Sequence, residues 1–296
     1  MSGRRERRPP EVLTRRERPR GERPRYERPR GEHPRDERPR DERPRDERPQ
    51  GEPAADGLEV THGLRAGLAV IDARPKEVTR VGFSKASARE VEPKTRGLRA
   101  QCMLLADAEL DRAAGVAQHE GLLVEAKPRR WATPEELADR LVRARGVGVA
   151  LDHVKNPYNA GAILRTAAFL GAEALLAGTS AKEPGGLDAQ AIRVAEGGAE
   201  RVLLARTSQL ADALALLRKR GVLVVGADGR AEHDVEDAPL SLPAVLVVGH
   251  EREGLHERVR AQCDLLVAVR GTGAVESLNV AVAAGILLAR LGRLRG

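Results

Sequence analysis

With 296 residues, 41 % of them hydrophobic and only 2 % aromatic, the chain is long enough for one large or two medium domains, and its core must be built from Leu, Val and Ala. The net charge of +7 sits mostly in the first 52 residues, where 18 Arg against 13 Asp plus Glu give +5 and leave +2 for the rest, which excludes a broadly basic globular surface. Cys102 and Cys263 stand in no metal or redox spacing and suit a reducing cytosol, no uncharged apolar run reaches the roughly 18 residues of a membrane span, and the Arg-rich start lacks a signal peptide's apolar segment.

Residues 1–55 are low in complexity. Pro19, Pro24, Pro29, Pro34, Pro39, Pro44 and Pro49 recur every five residues in a Glu-Arg-Pro-Arg theme. Proline at that spacing forbids a continuous helix and no apolar face is available to bury, so a disordered tail is expected. Two readings of it stay open: an arm that brushes RNA phosphate, and a solvated tail whose interleaved acids cancel that attraction.

A small α/β unit is expected over residues 58–130. His62 to Val70 reads as a helix, Val78 to Phe83 as a strand, Leu110 to Ala114 as a short helix, and Val116 to Glu125 leads into another strand. His62 and His119 are lone histidines, to which spacing assigns structural roles. Residues 131–146 read as a linker helix bridging two domains, with Thr133 as N-cap, Pro134 at the first helical position and acids in the first turn.

From residue 147 to 296 strands and helices alternate. Apolar runs lie at Val147–Leu151, Ala174–Ala177, Val202–Ala205, Val222–Val225, Val245–Val248 and Leu265–Val269, and helical stretches at Ala160–Leu170, Ala189–Gly197, Ser208–Arg220, His256–Gln262 and Leu278–Arg293. Alternation with short connections predicts an α/β fold, a mostly parallel sheet with helices on both faces. In such sheets ligands bind at the carboxyl ends of strands, and three polar stretches follow strands here.

The first polar stretch runs from Asn156 to Arg165. Asn159 has the side chain of a good N-cap, and Arg165 follows six residues later, amid apolar residues, as an exposed-face or a functional side chain. The second, Val247 to Leu255, has Gly249 ending a strand and Glu251 just after it. The third runs from Val267 to Asn279: a strand end, a loop with Gly271 and Gly273, then Ser277 and Asn279 opening a helix whose N–H groups can meet a polar ligand. Its bland reading is a turn with Ser277 as N-cap.

In this order and at these separations the three stretches resemble the signature motifs of the SpoU (TrmH) family of RNA ribose 2′-O-methyltransferases, within the SPOUT superfamily. The matching residues are Asn159, Gly161 and Arg165, then Gly249, Glu251, Gly254 and Leu255, then Ser277 to Val280. His62 to Leu68 and His119 to Leu123 resemble the start and end of an L30e-like substrate-binding domain. The resemblance implies a C-terminal deep trefoil knot, S-adenosylmethionine as cofactor, RNA as substrate (ribosomal RNA favoured over tRNA), a homodimer in the cytoplasm, and neither metal nor membrane. It places the cofactor around Gly249, Val269 and Leu278, and the polar site at Arg165, Glu251, Ser277 and Asn279 with Asn159 in support. Arg270 stands where the family usually has Pro, a departure that bears on the shape of the loop from Arg270 to Val275.

Arginine stays protonated in proteins, so Arg165 suits orienting a hydroxyl and stabilising developing negative charge better than removing a proton. Two other functions compete with this one. A dinucleotide-dependent oxidoreductase would use Gly271-Thr-Gly273, but Glu276 stands where its fingerprint needs glycine and the loop ends the chain. An RNA-binding protein on the same fold without turnover is opposed by the intact polar set.

Overall fold

The computed structural model describes residues 57–179 and 187–295; the expected disordered tail over residues 1–55 lies outside the described residues. The first unit runs β1 (Glu59–His62), α1 (Leu64–Ala73), β2 (Val78–Phe83), α2 (Ala88–Thr95), β3 (Gln101–Leu104), α3 (Asp107–Ala114), β4 (Leu122–Ala126). Its sheet has the order β1-β4-β2-β3, with β4 antiparallel to both neighbours and β2 parallel to β3. Val70 and Ile71 of α1 pack on Val81, Phe83, Leu122 and Val124 as its core. The helix read from His62 begins later: His62 closes β1, and the chain turns at the next residue into α1. Helix α2 escaped the apolar pattern because only Val91 on it is buried.

The second unit runs α4 (Pro134–Ala144), β5 (Val147–Leu151), α5 (Pro157–Phe169), β6 (Ala174–Gly178), α6 (Ala189–Val194), a 3-10 turn (Gly198–Glu200), β7 (Leu203–Thr207), α7 (Leu210–Lys219), β8 (Leu223–Ala227), β9 (His233–Asp234), β10 (Ala244–Val248), α8 (Glu257–Arg260), β11 (Leu265–Ala268), α9 (Val280–Gly292). Its sheet has the order β7-β6-β5-β10-β8-β11-β9, parallel at each pairing. Every apolar run named above falls on a strand; β9, with two residues, is too short to show in the pattern.

Strands β5 and β10 are buried along their whole length, and the twofold alternation of a strand divides their side chains between two cores. Val149, Leu151, Leu246 and Val248 join α5, α6 and α9 on one face. Ala150, Val245 and Val247 join α4 and α7 on the other. Each fully buried Leu or Val contributes about 1.5–3 kcal/mol relative to an exposed one. Helix α4, read as a bridge between domains, is instead built into this second core through Leu137, Ala138 and Leu141, because its apolar stripe needs a sheet to cover it.

The N-terminus of α4 is as predicted. Thr133 Oγ1 accepts from Glu136 N at 3.3 Å and Glu136 returns a carboxylate to Thr133 N at 3.0 Å, with Pro134 opening the helix. Thr133→Ala is expected to lower stability by about 1 kcal/mol, read as a fall in urea midpoint at unchanged slope.

More than a linker joins the two units. Arg129 Nε meets Glu59 at 3.0 Å, and Arg74 Nη2 reaches Glu59 at 3.3 Å. On the other side, Arg74 Nε and Arg129 Nη2 reach Glu200, on the 3-10 turn, at 3.1 and 3.2 Å. Both are contacts of charge: Arg74 Nε faces Glu200 Oε2, Arg129 Nη2 faces Glu200 Oε1, and neither pair is aligned as a hydrogen bond. Glu200 and Arg129 are 6 % and 8 % exposed at the side chain. Burial alone would raise the Glu59 carboxyl; Arg129 and then Arg74 outweigh it and hold it below the usual carboxylate range.

Candidate active site

Helix α5 begins one turn earlier than the motif suggested. Pro157 takes the first helical position, where a missing N–H costs nothing, and Asn156 Oδ1 caps the helix by accepting from Tyr158 N at 2.9 Å. Asn159 is therefore not the N-cap, and its side chain is left for other partners. Its Nδ2 donates to Glu251 Oε1 at 2.7 Å, and its Oδ1 accepts from Asn279 Nδ2 at 3.1 Å. Asn279 in turn caps α9, its Oδ1 accepting from Ala281 N at 2.8 Å. Ser277, the alternative cap, lies exposed two residues earlier.

These contacts form one directed chain, from the α9 amides through Asn279 and Asn159 to the Glu251 carboxylate. The direction follows from chemistry: a carboxylate only accepts, so Asn159 must present its NH2 to Glu251 and its oxygen to Asn279. Three segments up to 120 residues apart in sequence thus meet at the carboxyl ends of β5, β10 and β11.

The loop bearing Glu251 is folded tightly on itself. His250 and Gly254 exchange backbone hydrogen bonds of 3.0 and 2.9 Å. A Cβ on Gly249 would lie 2.3 Å from the carbonyl carbon and oxygen of Gly254, so backbone must move to admit any side chain. Gly249→Ala is expected to cost more than about 2 kcal/mol by chemical denaturation. A residue absent from the sequence reading holds the loop's far end: buried Asp152 accepts from His256 N at 2.7 Å and meets His153 Nδ1 at 2.7 Å. A carboxylate directly after an apolar strand was its only signal.

Gly161 of the first motif has a packing role, since a Cβ there would sit 2.5 Å from Ala191 O, so it lets α6 lie against α5. Arg165 is six residues beyond Asn159, about 9 Å along the axis and about 120° around it. Its guanidinium does not enter the asparagine chain. The side chain is 56 % exposed, and Nη1 pairs with Glu196 Oε1 at 2.8 Å. Among the residues expected to line a cofactor pocket, Gly249 is in the folded loop, Val269 packs against the core, and Leu278 is 50 % exposed. Arg270 donates from Nη2 to the carbonyls of Ala231 and Glu232 at 2.6 and 2.9 Å, anchoring the loop's start by hydrogen bonds that a proline could not make.

An open cleft of about 660 Å³ lined by Arg218, Gly221, Ser241 and Asp264 lies at the amino ends of β8, β10 and β11, opposite the motif segments. Burial, then Asp264, push the Cys263 thiol up to about 12, so no thiolate is on hand there at neutral pH. Among the described residues, no group of three or more His, Cys, Asp or Glu is arranged to hold a metal ion, and no helix is long and apolar enough to cross a membrane.

The fold and motifs have close parallels in known proteins. Residues 146–289 match the model of the SpoU rRNA Methylase family. A Photorhabdus laumondii protein named 23S rRNA (guanosine-2'-O-)-methyltransferase RlmB is 34 % identical over 235 residues, covering 78 % of this chain and 96 % of that one. A Mycobacterium ulcerans protein named as an uncharacterized tRNA/rRNA methyltransferase is 38 % identical over 188 residues, and the aligned part spans 63 % of this chain and 60 % of that relative's length. The crystal structure of the SpoU methyltransferase AviRb from Streptomyces viridochromogenes, in complex with AdoMet, superposes with a TM-score of 0.66 at 24 % identity, covering 81 % of this chain and 91 % of that one. The chain belongs to the SpoU rRNA methylase family.

Proposed function

We propose that the protein transfers a methyl group from S-adenosylmethionine to a ribose 2′-hydroxyl of structured RNA, ribosomal RNA rather than tRNA. The observation that carries this reading is the joining of three motif segments by Asn279, Asn159 and Glu251 in one hydrogen-bond chain. The name of the Photorhabdus relative favours ribosomal RNA. So does the first unit, which we read as an L30e-like module for gripping folded RNA.

The residues present fit the cofactor. Gly249, buried against Gly254 where any Cβ would intrude, sets the shape of the loop at the strand end, and Val275 and Leu278, 79 % and 50 % exposed, offer apolar surface to an adenine ring. S-adenosylmethionine supplies an electrophilic methyl on its sulfonium. The chain's task is then positioning: Glu251 and the two asparagines fix the loop ends, and Arg165 orients the attacking oxygen and stabilises its growing negative charge.

Arg165 lies on a different face of α5 from Asn159, so a site using both is best completed between two copies of the chain. The exposed stripe Leu278, Val282 and Ile286 along the entry to α9, with Phe169 at 87 % exposure, supports a homodimer of this kind. The return of α9 from edge-side β11 to pack on α5 supports the knotted threading that the family resemblance implies. The reading carries a cytoplasmic location.

Incubation with tritiated S-adenosylmethionine and an unmodified ribosomal RNA transcript tests the proposal. Label is expected in RNA, at a nucleotide whose 3′ linkage resists alkali, as a blocked 2′-hydroxyl requires. RNA binding without label, at saturating S-adenosylmethionine, would instead make the protein a binding factor on a methyltransferase fold.

A further inference from the structure

We infer that Glu196 is the positioning residue for Arg165, presented by a turn that the N-terminal unit clamps in place; this rests on the placement of Arg165 in the site proposed above. Glu196 Oε1 lies 2.8 Å from Arg165 Nη1. An exposed arginine otherwise samples many rotamers. The Glu196 carboxylate holds the guanidinium by charge at one nitrogen, without an aligned hydrogen bond, and leaves its N–H groups available to a hydroxyl or phosphate.

The backbone at Glu196 carries an independent mark of this role. Its φ is +45°, in the left-handed region that residues with a Cβ enter at an energetic cost. Such strain persists only where surrounding structure over-determines it, and here the surroundings do so from two sides. On one side α6 and the 3-10 turn lie against α5: a Cβ on Gly198 would be 3.3 Å from Arg165 Cα. On the other side the first unit grips the same segment. Arg193, three residues before Glu196, pairs with Glu120 at 3.1 Å and donates to Gln118 at 3.2 Å, and Glu200, four residues after it, takes Arg74 and Arg129. Glu196 thus projects from the middle of a segment held at both ends by the first unit. Docking of that unit contributes to the geometry of Arg165 as well as to RNA capture.

The test uses the full chain, tritiated S-adenosylmethionine, an unmodified ribosomal RNA transcript, and the 15N–1H signal of the Arg165 Nε–H group, assigned by its loss in Arg165→Lys. Glu196→Gln is expected to lower kcat about tenfold, as the guanidinium loses the charge that places it, with KM for cofactor and RNA held within about twofold. Its Arg165 signal should shift without any ligand present. Glu196→Asp keeps the charge and tolerates the left-handed backbone better, and should restore kcat to within about threefold of wild type. An unmoved Arg165 signal in Glu196→Gln overturns the proposal, as does wild-type or faster turnover in that variant while Arg165→Ala is inactive. Wild-type turnover in Arg165→Ala would instead remove Arg165 from the site, and the role of Glu196 with it.

Discussion

Arg165→Ala is expected to slow methyl transfer to RNA by roughly 10²- to 10³-fold, the range measured when a single donor to a developing negative charge is deleted. The affinity for S-adenosylmethionine, measured by calorimetry, should stay within about twofold, because the cofactor is assigned to the loops at Gly249, Val269 and Leu278 and not to α5. Stability should barely change. The side chain is 56 % exposed and its ion pair with Glu196 is screened by water, so its contribution to folding is at most about 1 kcal/mol. A loss of turnover at constant melting temperature and constant cofactor affinity is therefore the expected signature. Arg165→Lys keeps the charge but loses the planar fork, and should recover only part of the rate. Full turnover in the lysine variant would contradict both an orienting and a base role.

The second large effect concerns folding. Glu200→Ala leaves two guanidinium groups, those of Arg74 and Arg129, short of a carboxylate in a site where the arginines are 12 % and 8 % exposed at the side chain. Breaking a buried network by removing one partner typically costs about 3–5 kcal/mol, because the remaining charges stay desolvated. For a chain of this size that is a fall in melting temperature on the order of 10 °C. Glu200 belongs to the second unit and the arginines to the first, so loss of the network should expose their interface to hydrogen exchange before either sheet opens. Unchanged melting and unchanged exchange at β1 and α6 would show that the contact carries no folding energy. The pH dependence has a definite sign. Glu59 is held below its ordinary value by Arg129 and Arg74, so its folded pKa is depressed relative to the unfolded chain. Its contribution is present above the unfolded value near 4.5 and is lost as pH falls through the folded one. Acid should weaken the first unit's own hold on Arg74 and Arg129, and raising pH above neutrality should not.

The second unit was largely legible in the chain. Buried parallel strands such as Val147–Leu151 and Ala244–Val248 have no solvent face, so they read as uninterrupted apolar runs, while capping signals such as Thr133-Pro134-Glu135-Glu136 are local by nature. The first unit was less legible, because short elements such as α2 and β1 bury few side chains and so leave little period to detect.

At the site the division is sharper. Asn159, Glu251 and Asn279 could be picked out as polar residues after strands, yet the reading of Asn159 as a cap was wrong, since Pro157 starts the helix two residues earlier and Asn156 takes the cap. Which residue caps a helix is settled by where the first turn closes. Arg165 carried both an exposed and a functional reading, and its pairing with Glu196 follows from the packing of α6 against α5.

Composition, strand periodicity and three spaced motifs determined the fold class and the residue types of the site by themselves, because these depend on contacts within a few residues along the chain. The directed Asn279–Asn159–Glu251 chain, the loop held by Asp152, and the network through Glu200 were decided only by the tertiary structure. Each joins groups separated by dozens of residues, and no local rule specifies which distant partner a carboxylate or an amide will meet.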